Sequence, residues 1–214
     1  MKQKQRAESI NLMSAQYIEA LIYEYINRQY PRDINVVWVS ELANCLRYAY
    51  YIRMLPVKFE KTIAVKMALG IGFHELLAKI IEEKGIATTE SKLQLDLKSV
   101  KIIGRVDILG DGIIIEVKTT EKLPEKPYIE HYRQIQYYLN LANVDKGLLL
   151  YIEYSGRMRG FTVIRKKKYY NEMISRALTL VRALKTKKPP PYEKTINCTH
   201  CYFKYKCKPW KAKR

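Results

Sequence analysis

Residues 104–120 read Gly-Arg-Val-Asp-Ile-Leu-Gly-Asp-Gly-Ile-Ile-Ile-Glu-Val-Lys-Thr-Thr. Two short apolar runs flank Asp111-Gly112, a dipeptide suited to the two positive-φ positions of a type I′ turn, so the stretch reads as a β-hairpin. A two-residue turn sets Gly110 opposite Ile113, Leu109 opposite Ile114, Ile108 opposite Ile115 and Asp107 opposite Glu116. Cross-strand neighbours have Cβ atoms about 4.5–5.5 Å apart, and like charges so placed destabilise the pair unless a counter-charge offsets them. A divalent cation is one such counter-charge. Side chains alternate faces along a strand, so Glu116 and Lys118 share a face. Asp, Glu and Lys around one point can hold a hard metal ion, activate water and stabilise a developing negative charge. The same residues would also serve as the solvated face of a half-exposed hairpin.

Strands from Thr88 to Leu97 and from Val100 to Leu109 precede the turn, and Ile113 to Thr119 completes an antiparallel meander. Upstream, a helix from about Thr62 to Lys84 carries Gly70-Ile71-Gly72-Phe73-His74. Glycine costs about 1 kcal/mol relative to alanine inside a helix, so the pair suggests close packing there. Downstream, Pro124 and Pro127 mark a loop before a helix from about Ile129 to Asn143, on which Gln134 and Tyr138, four apart, share a face. Leu148 to Tyr154 and Gly160 to Arg165 form a second hairpin around Ser155-Gly156. Tyr169 to Lys187 is a basic amphipathic helix that ends before Pro189-Pro190-Pro191. At the other end, Ala7 to Tyr30 reads as an amphipathic helix ended by Pro31, and Ser40 as the cap of a second helix bearing Cys45, Arg47, Tyr48, Tyr51 and Arg53. This order predicts an α/β fold with a mixed sheet. Three regions follow: an N-terminal helical region over 1–60, a core over 61–187 and a cysteine-rich basic segment over 188–214.

A chain of 214 residues with 48% hydrophobic content can bury a core and is not of the disordered class. No run approaches the ~18–20 apolar residues of a membrane helix. The first ten residues are polar and charged with no apolar segment after them, so no secretory signal is read and the expected location is cytoplasmic. The net charge of +18 is localised: from Arg157 to Arg214 eighteen Lys or Arg stand against two acids, Glu172 and Glu193. Such a segment is the electrostatic footprint of a nucleic-acid binder, an acidic membrane surface being the weaker alternative. Tyr192, Tyr202, Phe203, Tyr205 and Trp210 alternate with lysines there; rings stack on unpaired bases while lysines follow phosphates, or the rings pack among themselves.

Asp107, Glu116-x-Lys118, the helical His74 and Gln134-x-x-x-Tyr138, in this order, resemble the PD-(D/E)xK nucleases of the RecB-like branch. Gly104-x-x-Asp107 and Gly70-x-x-x-His74 match that branch's settings for the aspartate and the histidine. The resemblance implies a restriction-endonuclease-like core in which His74, Asp107, Glu116 and the carbonyl of Val117 bind Mg²⁺ or Mn²⁺. Lys118 would orient water or stabilise charge on the phosphate, and Gln134 and Tyr138 would brace the site and contact the DNA backbone. An imidazole among oxygen ligands favours Mn²⁺.

Cysteines stand at 45, 198, 201 and 207. Without a secretory signal they are metal ligands or redox groups sooner than disulfides. Four thiolates hold either tetrahedral zinc or an iron-sulfur cluster, and spacing alone does not decide; His200 is a competing ligand. One early and three late cysteines around such a core resemble the iron-sulfur members of the group, above all the CRISPR-associated Cas-four family, as does Ser40-x4-Cys45-x-Arg47-x-x-Tyr50. That resemblance implies a 4Fe-4S cluster on Cys45, Cys198, Cys201 and Cys207, and exonuclease action on single-stranded DNA, often 5′ to 3′, with possible endonuclease activity. It also implies a role in spacer acquisition beside CRISPR adaptation proteins, or in viral or recombination processing, with oligomers possible. A non-catalytic nucleic-acid-binding module with a structural four-cysteine metal site is the alternative, as is a redox iron-sulfur protein.

Overall fold

A computed structural model of the chain describes residues 14–207. Chain contacts group the protein into two compact units, Met1–Pro31 with Val57–Leu77 and Arg32–Pro56 with Ala78–Arg214, a division that puts the Cys45 segment in the same unit as residues 88–164. In the first unit α1 (Ala15–Ile26) starts at Ser14, whose hydroxyl accepts the Tyr17 N–H. Residues 7–13 of the expected first helix lie outside the described residues. The helix stops at Asn27, short of Pro31, because that side chain both donates to the Tyr23 carbonyl at 2.9 Å and accepts the Phe59 N–H at 2.6 Å.

The second unit opens with a strand that the sequence reading missed, β1 (Val36–Trp38), followed by α2 (Val39–Ala43) and α3 (Leu46–Met54). Ser40 is not a cap. Trp38 precedes α2, and the Glu41 carboxylate reaches back to its N–H at 2.9 Å, while Cys45 occupies the cap position of α3. Arg53 clamps the segment, pairing with Glu41 at 2.6 Å and donating to the Val36 carbonyl at 2.7 Å. The long helix α4 (Lys61–Lys84) forms as expected. Its two glycines differ: Gly70 is buried, but a Cβ at Gly72 would meet nothing within 4 Å, so close packing does not account for the second.

The sheet has six strands and is mixed. β2 (Thr88–Leu97) and β3 (Val100–Gly110) are antiparallel, and β3 turns through Asp111-Gly112 into β4 (Ile113–Thr120). φ values of 49° and 69° at the two turn residues confirm the type I′ hairpin. α5 (Ile129–Leu141) carries the chain across to β5 (Lys146–Glu153), parallel to β4, and β6 (Met158–Ile164) returns antiparallel. α6 (Lys168–Thr186) and a 3-10 turn at Ile196–Thr199 follow. Ile102, Ile114 and Leu149 of the sheet bury against Leu42, Ile135, Leu139, Met173 and Leu180 of α2, α5 and α6. Among the described residues no helix is long and apolar enough to cross a membrane.

Candidate active site at a fork in the sheet

β3 has one partner on its first edge and two on its second. β2 lines the first; on the second, β1 pairs in parallel with Lys101–Ile103 and β4 pairs antiparallel with Ile108–Gly110. The β3–β4 ladder keeps the expected register at Gly110, Leu109 and Ile108 and ends there, so Asp107 and Glu116 are not its next pair. Antiparallel strands alternate bonded and non-bonded pairs, and a continued ladder would bring the Val117 N–H to the Val106 carbonyl. Instead a carboxylate oxygen of Asp107 accepts the Val117 N–H at 2.7 Å. A side chain takes the place of backbone, and the strands part. The two carboxylates therefore line the two sides of a fork rather than facing each other across a ladder. In a strand the N–H and C=O of one residue point to the same edge. The Val117 carbonyl is thus directed into the fork with its N–H.

Glu116, 2% exposed, is the buried acid of the site. Its Oε1 accepts from Lys118 Nζ at 2.8 Å and from Gln134 Nε2 at 2.8 Å. The strand alternation that placed Glu116 and Lys118 on one face holds. Burial alone would pull the lysine's pKa down, but the Glu116 and Asp107 carboxylates outweigh it and raise it, so the ammonium stays charged. Gln134 Nε2 also donates to the Tyr138 hydroxyl at 3.1 Å, so Tyr138 braces the amide that holds Glu116. His74 lies on α4, in the stretch that belongs to the first unit.

All four cysteines lie in the second unit. The charge of Cys198 acts on Cys45, and those of Cys198 and Cys207 act on Cys201. Burial pushes the Cys45 and Cys201 thiols up. At Cys198 burial acts the same way, but the Thr195 N–H and hydroxyl, the Tyr192 hydroxyl and Lys194 together bring it below its ordinary value. The Thr195 N–H is 3.3 Å from the Cys198 sulfur and Arg47 Nη1 is 3.4 Å from that of Cys207. N–H donors aimed at the Cys198 and Cys207 sulfurs are partners of the kind that metal-bound thiolates take. Phe203, 4% exposed, packs against Tyr48 and Tyr51 beside them, with ring centroids 5.5 and 5.2 Å away. Tyr192, Tyr202, Tyr205 and His200 are exposed, and Trp210 lies outside the described residues. Two arginines hold the Cys45 segment from behind: Arg133 donates to the Ala43 carbonyl at 2.8 Å and Arg176 to that of Leu42 at 2.7 Å.

The PD-(D/E)XK nuclease superfamily profile matches residues 54–160, half of the chain, including Asp107, Glu116 and Lys118. The chain belongs to the PD-(D/E)XK nuclease superfamily. Within it, the chain is 30% identical over 131 residues to the CRISPR-associated exonuclease Cas4 of Saccharolobus solfataricus, an alignment covering 56% of this chain and 65%, under two thirds, of that protein. Among solved structures, that of SSO0001 superposes with a TM-score of 0.68 at 22% identity, over 91% of this chain and 96% of that one. An alkaline exonuclease from Laribacter hongkongensis, LHK-Exo, gives a TM-score of 0.51 at 14% identity, over 78% and 93% of the two chains. These structural likenesses cover more of the chain than the profile match does.

Two neighbours of the site escaped the sequence reading of this superfamily member. Glu90 of β2 stands opposite Asp107, where the β2–β3 ladder skips a pair between Thr89↔Ile108 and Ser91↔Val106, and it has a positive φ of 50°. Its carboxylate lies within 4.8 Å of that of Asp107 and is ion-paired with Arg105. Counting back from the tight turn at Lys98-Ser99 would have placed it there. The second neighbour is His131. Tyr151 pairs with Lys118 across the parallel strands, and its hydroxyl accepts the Tyr128 N–H at 3.1 Å and lies 3.0 Å from His131 Nδ1. Burial, then the charge of Lys118, pushes His131 down to about 3, so the ring is neutral. Its unfolded pKa is about 6.5, so as pH falls below that value the unfolded chain takes up a proton that the folded chain does not. Stability is therefore lost with falling pH, by about 2 kcal/mol from this residue between pH 6.5 and 5. Urea unfolding of wild type and His131→Gln at pH 7 and pH 5 checks this: the variant should lose less on acidification.

Proposed function

We propose that this chain is a divalent-metal-dependent deoxyribonuclease that acts on single-stranded DNA ends, 5′ to 3′, with some endonuclease activity. In this reading it trims DNA for CRISPR spacer acquisition or related processing in the cytoplasm, beside CRISPR adaptation proteins. The observation that carries the hydrolytic reading is the fork: a buried Glu116 in contact with an ammonium, an aspartate on the opposite side and a carbonyl directed between them. Asp107, Glu116 and the Val117 carbonyl would hold Mg²⁺ or Mn²⁺, and the family resemblance adds His74. Such an ion supplies Lewis-acid polarisation of the phosphate and a water of lowered pKa. Lys118 stabilises charge developing on the phosphate, and Gln134, braced by Tyr138, fixes the carboxylate of Glu116 in the rotamer that meets the ion. A 4Fe-4S cluster on Cys45, Cys198, Cys201 and Cys207 would join the α3 end of the core to the basic C-terminal segment, whose exposed Tyr192, Tyr202 and Tyr205 suit stacking on unpaired bases. The CRISPR-associated exonuclease name of the relative supports the setting.

The test is anaerobic purification, an absorption spectrum, removal of divalent ions, then Mn²⁺ added back with DNA labelled at the 5′ or the 3′ end. A brown protein releasing 5′ label from single strands only with Mn²⁺ or Mg²⁺ is the expected result. Cleavage that persists without divalent ions would overturn the metal assignment. A colourless zinc protein that binds DNA without cutting it would establish the non-catalytic module instead.

A further inference from the structure

We infer that Arg47 is the outer hydrogen-bond donor of the four-cysteine site, holding the Cys207 sulfur in place and offsetting its charge when the site carries metal; the inference rests on the thiolate-site reading above. Arg47 lies in the first turn of α3, two residues after Cys45. Its guanidinium is fixed at three points drawn from the far end of the chain. Nε donates to the Pro190 carbonyl at 2.8 Å, Nη1 points to Cys207 Sγ at 3.4 Å, and the group lies 5.7 Å from the centroid of the Tyr192 ring.

Its neighbours are employed differently. Arg133 and Arg176, which also brace the Cys45 segment, donate to the carbonyls of Ala43 and Leu42 and pair with Glu172 and Glu193. Neither is seen to donate to sulfur. The geometry thus separates loop anchoring, shared by three arginines, from contact with a metal-binding atom. Thiolates around a metal carry net negative charge in a partly buried site, and an N–H from a fixed cation to one of the sulfurs is a charge-assisted bond. Outer partners of this kind are worth about 10- to 100-fold in metal affinity. Hydrogen bonds to the sulfurs also tune the reduction potential of an iron-sulfur cluster. Losing a cationic donor disfavours the more negative, reduced state and lowers that potential. Lysine keeps the charge but lacks the planar fork that reaches Pro190 and Cys207 together.

The experiment uses full-length protein, reconstituted anaerobically with iron and sulfide, as wild type, Arg47→Gln, Arg47→Lys and Arg176→Gln, the last as the anchoring control. Metal release to a chelator and the potential of the one-electron couple by spectroelectrochemistry are the readouts, with thermal melts showing that each variant is folded. Arg47→Gln should release metal about 10-fold faster or more, with a lower potential, and Arg47→Lys should fall between it and wild type. Arg176→Gln should keep the wild-type potential whatever it does to the melt. Should wild type retain zinc instead, the chelator rates alone decide in the same sense. Loaded Arg47→Gln that matches wild type in release and, for iron, in potential overturns the role of Arg47 while leaving the metal site standing. A wild-type protein that retains neither iron nor zinc overturns the site itself, and the inference with it.

Discussion

Replacing Lys118 by methionine will slow phosphodiester cleavage by about 100- to 1,000-fold while DNA still binds. The side chain donates to Glu116 at 2.8 Å, and it stays charged because two carboxylates outweigh the cost of its burial. A fixed ammonium of this kind acts on charge as it develops on the phosphate, so kcat falls rather than KM rising. Stability should respond in a diagnostic way. Removing one partner of a buried pair costs up to about 3–5 kcal/mol, and Lys118 is partly solvated, so the lower end applies. Gln134 still donates to Glu116 but brings no charge. The metal-free variant should therefore melt well below metal-free wild type, and Mn²⁺ should recover more of the loss in the variant, where the ion supplies the missing positive charge. Calorimetry with and without Mn²⁺ reads this. Cleavage at the wild-type rate by Lys118→Met would remove the lysine from the chemistry.

Gly104→Ala has the second large effect, through a residue that touches no acid. A Cβ at position 104 would stand 2.6 Å from Tyr138 Cε1 and 3.1 Å from Val39 Cγ2. The tyrosine cannot simply swing away, because it is 3% exposed and its hydroxyl is tied to Gln134. Overpacking of this kind costs about 1–3 kcal/mol. Any movement of the ring carries the Gln134 amide off Glu116, so activity should fall along with the melting temperature. In a Tyr138→Leu background the same glycine substitution should cost much less, and that non-additivity is the signature of direct contact. Equal costs in both backgrounds would show that the clash is relieved elsewhere.

The regular elements were legible because their signals are local. Thr88–Leu97 and the Asp111-Gly112 hairpin follow from alternation and turn chemistry, and three pairs of the β3–β4 register follow from the turn alone. What the sequence could not disclose is non-local. β1 is three residues long and finds its place only by pairing with Lys101–Ile103, on an edge of β3 that β4 does not use. The fork depends on that sharing and on an aspartate that bonds the backbone of the opposite strand, so counting onward from the turn overshot by one pair. Gly104 was visible as part of a pattern with Asp107, while its reason, the Tyr138 ring, lies 34 positions away on a helix. Cys45 was expected inside one helix capped at Ser40, but the helix breaks after Ala43 and Cys45 stands at the cap of α3 instead.

The bond from the Val117 N–H to the Asp107 carboxylate makes this amide a natural reporter. Amides at the centre of a sheet exchange their hydrogen with solvent only when the fold opens, and neighbouring strand residues share that slow rate. The Val117 hydrogen is held by a side-chain oxygen whose hold on it depends on its charge and on what else draws upon it. Its exchange rate should shift when an ion or a proton reaches Asp107, while Ile114 and Ile115 on the same strand keep theirs. One backbone position, observed without a label or a substitution, thus measures the electrical state of the fork inside an intact sheet.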